Sequence, residues 1–230
     1  MTLTFDAVSL DVGGVLVVPD HELLAEALMA ADLTFDRSRF GVGHYLAMAA
    51  VDAARSLDED FTDYLAGFVA AVAVPVDARG RAHDVLADVL STPVWRQPVA
   101  GSRAGVQALV DAGLRLAVTS NSDGTIAGHL RDYEWVQVGP GPGAVVEVIT
   151  DSGVLGVGKP DRAMFEATVA GLGLRPERIL HVGDSVHYDV EGAVACGLQA
   201  VHMDPFSVCR STSHPHVGTV AALLTLPPGS

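Results

Sequence analysis

Five short apolar runs constrain this chain more than any other feature: TFDAVSL (4–10), LRLAVTS (114–120), AVVEVIT (144–150), RILHVGD (178–184) and LQAVHM (198–203). A strand with one wet face alternates apolar and polar residues, whereas a strand covered on both faces reads as a near-continuous apolar run. Stretches with helical spacing separate the runs. SRAGVQALVDAG ends at Gly113, PDRAMFEATVAGLG opens with Pro160 and Asp161, and VHYDVEGAVACG ends at Gly197. Glycine just past the last apolar position is a helix stop signal. The alternation predicts an α/β fold with a doubly wound parallel sheet.

Residues 20–97 break the rhythm. HELLAEALMAA, FGVGHYLAMAAVDAA, FTDYLAGFVAAVA and DARGRAHDVLADVL all carry helical spacing and offer no strand candidate. An all-helical domain is therefore expected at 20–97, inserted after the first strand, with STPVWRQP as its exit linker. The α/β domain is then discontinuous, residues 1–19 and 98–230. Weak periodicity predicts a partly irregular tail from Phe206 to the end, LPPGS.

Charge narrows the function classes. A formal net charge of -14 leaves no basic surface to neutralise phosphates, so nucleic acid is not expected as a partner. The longest apolar run, LAGFVAAVAVPV at 65–76, is too short for a bilayer and contains Pro75, so no membrane partner is expected either. No basic segment precedes an apolar stretch at the N-terminus, which reads as no signal peptide. Cys196 and Cys209 make no disulfide framework and suit a reducing compartment. A cytoplasmic protein is expected; oligomeric state has no signature here.

In open α/β sheets, ligands sit beyond the carboxyl ends of the strands. There this chain places Asp11, then Thr119-Ser120-Asn121, then Gly183-Asp184-Ser185. Lys159 precedes the helix opened by Pro160, and Asp189 lies on the helix after Asp184. A carboxylate carried to the tip of an apolar strand is costly unless a cation answers it. Clustered carboxylates, one ammonium and one hydroxyl make a site for a divalent metal and a phosphate. Of 14 basic residues, only Lys159 is lysine. One reading is a compact ammonium placed where a planar guanidinium would not fit; the other is a single surface lysine kept by chance.

LDVGGVLV, LAVTSNS, GKPDRAMF and HVGDSVHYDVEGA, in this order, resemble the four motifs of the haloacid dehalogenase-like (HAD) hydrolases. The resemblance covers the whole α/β part, and the 20–97 insertion is similar to that family's helical cap. It implies a Rossmann-like core that acts on a small phosphorylated metabolite. By the same resemblance, Asp11 is the nucleophile that forms an aspartyl-phosphate, Ser120 holds the transferring phosphoryl, and Lys159 neutralises both. Asp184, with Asp11 and the carbonyl of Gly13, would bind Mg2+, and Asp189 would support that shell. Gly13, Asn121, His44 and Tyr45 are expected at the substrate. Phosphoryl transfer is mostly positioning and charge neutralisation, and a carboxylate is an established nucleophile for it.

One departure matters. The family's phosphatases usually carry a second aspartate two residues beyond the nucleophile, as general acid and base; here that residue is Gly13, and Val15 replaces a threonine. Slow or substrate-restricted phosphatase activity is expected. A catalytically weak binding or regulatory protein and a dehalogenase-type hydrolase are the alternatives, although GDSVHYD, with Asp184 poised for metal, favours the phosphatase branch. The absence of lysine from 20–97 argues against phosphonate cleavage through a Schiff base.

Other signals carry less. GVLGVGKP (153–160) nearly matches a nucleotide phosphate loop, but Pro160 offers neither hydroxyl nor N–H. GPGPG (139–143) reads as a rigid turn, and Ser185 with His187 lacks a third triad member. His202, Cys209, His214 and His216 match no compact zinc spacing, and His-Pro-His reads as exposed loop. His44, after Gly41 and Gly43, reads first as an exposed histidine at a helix start and second as a substrate contact or substitute acid.

Overall fold

The computed structural model describes residues 5–56 and 61–226; Thr4 of the first apolar run and the residues after Leu226 lie outside them. The strands, in chain order, are β1 (Ala7–Leu10), β2 (Val17–Pro19), β3 (Trp95–Pro98), β4 (Arg115–Ser120), β5 (Val136–Val138), β6 (Ala144–Val146), β7 (Val148–Asp151), β8 (Ile179–Gly183), β9 (Gln199–Met203) and β10 (His216–Val217). The helices are α1 (His21–Ala30), α2 (Phe40–Ala54), α3 (Thr62–Ala71), α4 (Arg79–Leu90), α5 (Ser102–Asp111), α6 (Ile126–Asp132), α7 (Ser152–Leu155), α8 (Arg162–Leu172) and α9 (Gly192–Ala195). The chain divides into a sheet unit (Met1–Leu16, Ala100–Pro205, Ser211–Ser230) and a helical unit (Val17–Val99, Phe206–Arg210).

In the sheet unit, six strands run in the order β10-β9-β8-β1-β4-β7, and every pairing is parallel. This is the doubly wound arrangement expected of uniformly apolar runs. Met164, Phe165 and Leu172 of α8 are fully buried against Ala7, Ala117 and Ile179 of the sheet. Asp161 starts α8 by accepting from the Ala163 amide at 2.8 Å.

The run 144–150 is not one strand. Glu147 interrupts it: its carboxylate reaches out to Arg115, β6 turns away to pair with β5, and β7 joins the sheet edge. The stretch after Ser185 is not one helix either. A π-helical turn, Val186–Glu191, leads into α9, a widening common where a side chain must be re-aimed. As far as Leu226, the tail is more ordered than its sequence suggests. β10 extends the sheet, and a 3-10 turn at Val220–Thr225 buries Val220 and Leu223, Val220 lying where a Cβ on Gly105 would sit at 2.6 Å.

In the helical unit, Asp20 caps α1 through the amides of Glu22 and Leu23. Gly67 lets α3 approach Ala47 of α2, where a Cβ would come within 2.9 Å of backbone. The insertion is not wholly helical. The expected linker supplies β3, which pairs antiparallel with β2 (Val17↔Pro98, Val18↔Gln97) because both flanks offer extended, half-apolar chain. Among the described residues, no helix is long and apolar enough to cross a membrane.

Candidate active site

Register brings the strand ends together. Leu10 is level with Val118 on one side and Val182 on the other. Asp11 therefore leaves β1 between Ser120, the last residue of β4, and Asp184, the first beyond β8. All three side chains are buried. The Asp11 amide donates to the carbonyl of Val182 at 2.8 Å, and its Oδ1 accepts from the Val12 amide at 2.7 Å.

Lys159 arrives from the loop before α8 and is 4% exposed. Its Nζ lies 3.0 Å from Asp11 Oδ1 and 2.5 Å from Asp189 Oδ1. The Asn121 amide grips the Lys159 backbone in both directions: Oδ1 accepts from the Lys159 N–H at 2.7 Å, and Nδ2 donates to its carbonyl at 3.1 Å. Asn121, expected at the substrate, is thus bonded to the backbone of the residue that carries the ammonium.

Asp189 is held by several protein groups at once. Its Oδ1 accepts from Lys159 and from His181 Nε2 at 3.0 Å, and its Oδ2 accepts from the Ser185 amide at 3.1 Å. Three of its roughly four acceptor positions are thus taken from within the protein, which fixes the carboxylate against Lys159. The neighbouring backbone is shaped for it, since a Cβ on Gly183 would fall 2.0 Å from the Asp189 carboxylate.

Behind Asp189 runs a chain of buried polar groups to which no sequence motif gives a role. His181 Nδ1 meets Ser9 Oγ at 3.1 Å, Ser9 meets Thr119 at 2.8 Å, Thr119 meets Thr168 at 2.6 Å, and Thr168 meets Thr150 at 2.8 Å. Burial holds the His181 pKa below its usual value, so the ring is neutral at pH 7 and donates through Nε2 to Asp189. Ser9, Thr119 and His181 are polar residues inside apolar strands, and Ser9 and His181 occupy facing positions. That was the available signal.

One oxygen from each of Asp11, Asp184 and Asp189 lies within 4.8 Å of the other two. Burial pushes the Asp11 carboxyl up to about 7 against the pull of Lys159, and Asp189 and Asp184 push the same way. The pull of Lys159 and the hydrogen bond from His181 keep Asp189 ionised, below the usual carboxylate range despite burial. Three carboxylates share one ammonium, a deficit that one divalent cation fits, and the all-oxygen donor set suits Mg2+. Gly14 completes the cradle. Its φ is +63°, and a Cβ there would stand 2.0 Å from Asp184 Oδ2, so any side chain would collide with Asp184.

His44 and Tyr45 lie in the helical unit. His44 is 1% exposed, not the exposed histidine expected. Its Nδ1 is 3.0 Å from the Tyr64 hydroxyl, and its ring packs against Tyr45, Tyr64 and Trp95. The reason is the apolar face of α2, which carries His44 inward with Phe40, Tyr45 and Met48.

The family model for haloacid dehalogenase-like hydrolases matches residues 5–197. The phosphoserine phosphatase of Thermus thermophilus is 37% identical over 67 residues, 29% of this chain and 27% of that protein. The chain spans less than half the length of the curated relatives it matches. Solved structures share the fold, two of them as follows. The protein YfnB from Bacillus subtilis, solved with magnesium bound, aligns with a TM-score of 0.61 at 14% identity over 96% of this chain and 98% of that one. The 2-haloacid dehalogenase of Pseudomonas syringae aligns with a TM-score of 0.54 at 18% identity over 96% and 97%.

Proposed function

The chain belongs to the haloacid dehalogenase-like hydrolases, and from that premise we propose that it is a Mg2+-dependent phosphohydrolase of a small phosphorylated metabolite, with Asp11 as nucleophile. The observation that carries this reading is the charge count at the strand ends: three buried carboxylates around one ammonium. Such a group binds an anionic phosphate poorly by itself and well with a divalent cation. Asp11, Asp184 and the Gly13 carbonyl would hold Mg2+, whose charge draws Asp11 into its ionised form and offsets that of the phosphoryl oxygens.

The protein's own groups divide the rest of the work. Asp11 attacks phosphorus, the bond to the ester oxygen breaks, and the phosphoryl is carried as an aspartyl-phosphate. Water then attacks phosphorus, releasing inorganic phosphate and restoring the carboxylate. Lys159, fixed by Asn121 and Asp189, balances the charge of the nucleophile and the phosphoryl, and the Ser120 hydroxyl holds a phosphoryl oxygen. Gly13 supplies no proton to the departing oxygen.

A second reading has one observation behind it: with no acid at position 13, the site equally permits attack of Asp11 on a carbon bearing a halogen, and a 2-haloacid dehalogenase shares the fold. Release of phosphate from a panel of phosphate esters with Mg2+, beside release of halide from 2-haloacids, separates the two. Phosphate release that disappears in Asp11→Asn supports the phosphohydrolase. Halide release without phosphate release overturns it, and absence of both in wild type would leave a binding protein.

A further inference from the structure

Three of the residues that carry little signal in the sequence, His202, His214 and His216, meet in the sheet unit. β9 and β10 pair in a register that sets His216 directly opposite His202, and facing residues of paired strands share a face. His214 stacks on His216, ring centroids 4.6 Å apart and planes 17° apart. Both rings lie within 5.4 Å of His202, centroid to centroid. One nitrogen from each ring falls within 4.8 Å of the others.

The tautomers are set by carbonyls. His202 Nε2 is 3.0 Å from the backbone carbonyl of Asp184. A carbonyl only accepts, so Nε2 carries the hydrogen and Nδ1 carries the lone pair. His202 is 6% exposed, and its Nδ1 is buried without a hydrogen-bond partner. An orphaned buried acceptor costs about 1–3 kcal/mol. His216 repeats the pattern: Nε2 donates to the Ser211 carbonyl at 3.1 Å, leaving Nδ1 facing the buried Asp204 carboxylate at 3.6 Å. A carboxylate beside a ring nitrogen can serve as the neutralising group of a bound cation. A ring N–H on a backbone carbonyl, with the second nitrogen left bare, is the outer-shell arrangement of metal-bound histidine.

We propose that His202, His214 and His216 form a second metal site, separate from the carboxylate cluster, for an imidazole-preferring ion of the Zn2+ or Co2+ type. Neutral imidazoles favour such ions, whereas the oxygen donors around Asp11 favour Mg2+, so the two sites sort different cations. Asp204 stands at His216 as the neutralising carboxylate. The site does not depend on the reading of the Asp11 cluster.

The test uses the full chain, stripped with chelator and titrated with Zn2+ in millimolar Mg2+, which fills any oxygen site first. One equivalent of Zn2+ should bind. Affinity should fall by at least ~100-fold, the upper end of what losing an outer-shell partner alone costs, when His214→Ala and His216→Ala are combined. Asp184→Asn, which keeps the backbone carbonyl under His202, should retain the equivalent. Zinc-edge X-ray absorption of loaded wild type should show outer-shell scattering from imidazole; this readout needs no variant to fold. An all-oxygen shell, an equivalent lost in Asp184→Asn but kept in the histidine variant, or no Zn2+ uptake at all would overturn the proposal. The last result would leave a proton, not a metal, between His216 and Asp204.

Discussion

Lys159 sits closer to Asp189, at 2.5 Å, than to Asp11, at 3.0 Å. One ammonium thus bridges a carboxylate at the tip of β1 to one whose other bonds run to His181 and the Ser185 amide. The inner pair fixes where the charge stands, and Asp11 receives what that fixed charge can offer.

This geometry predicts an asymmetry between two substitutions. Lys159→Ala leaves two buried carboxylates without their cation and should destabilise the fold by about 3–5 kcal/mol at neutral pH, read by denaturant unfolding. Lys159→Arg keeps the charge, but a planar guanidinium cannot occupy the ammonium's place between Asp11 and Asp189. It should unfold nearer to wild type and lose phosphate binding or turnover. An Lys159→Arg protein of full activity would sink the idea that the lone lysine was placed for its shape.

Metal binding should register as stability. If Asp11 and Asp184 share Mg2+, the fold gains about 2.7 kcal/mol at a hundredfold excess of ion over the dissociation constant. Thermal melts in rising Mg2+ should shift upward in wild type and stay flat in Asp184→Asn. Equal shifts in both proteins would place the ion elsewhere.

The raised Asp11 carboxyl gives a pH dependence with a definite sign. A carboxyl whose folded pKa lies above its unfolded value contributes stability that is complete below about 4 and lost as pH rises through the folded value, here about 7. Asp11→Asn abolishes this titration. In the absence of divalent cation, wild-type stability measured against Asp11→Asn should therefore decline between pH 4 and 7, by roughly 1–4 kcal/mol, and level off above. Mg2+ should flatten the decline. A difference constant from pH 4 to 8 without metal would mean that Lys159 already holds Asp11 ionised.

Much of this was legible in the chain because it depends on local rules. Apolar runs ending in Asp11, Ser120 and Asp184 put those residues at strand ends, and parallel register then made them neighbours. What escaped were side chains whose partners are set by distant packing. Asn121 reads as a polar residue at a site, yet its partner is a backbone 38 residues away. His44 lies on a helix with apolar residues on several sides, so sequence alone does not say which way it faces. The histidines at 202, 214 and 216 have no motif spacing because the β9–β10 register, not the chain, brings them together.

The remaining prediction concerns the glycine at position 13. A positioned general acid or base typically contributes roughly 10²–10⁴-fold, or about 3–5 kcal/mol of barrier. Without one, leaving groups that depart as stable anions suffer least, since they need no proton, and alkyl phosphates suffer most. Attack of water on the aspartyl-phosphate also lacks a base, so that species should accumulate. An aryl or acyl phosphate should therefore give a rapid burst of product followed by slow turnover. The structure adds a way to test the cause. φ is positive at Gly14, where a Cβ would also collide with Asp184, whereas Gly13 is not among the positive-φ glycines. Gly13→Asp should fold and accelerate the slow phase by a factor within the range above, while Gly14→Ala should disrupt the site. Rapid-mixing measurements decide it. Linear product release without a burst, together with fast hydrolysis of alkyl phosphates by the wild type, would mean that a group other than residue 13 already supplies the proton.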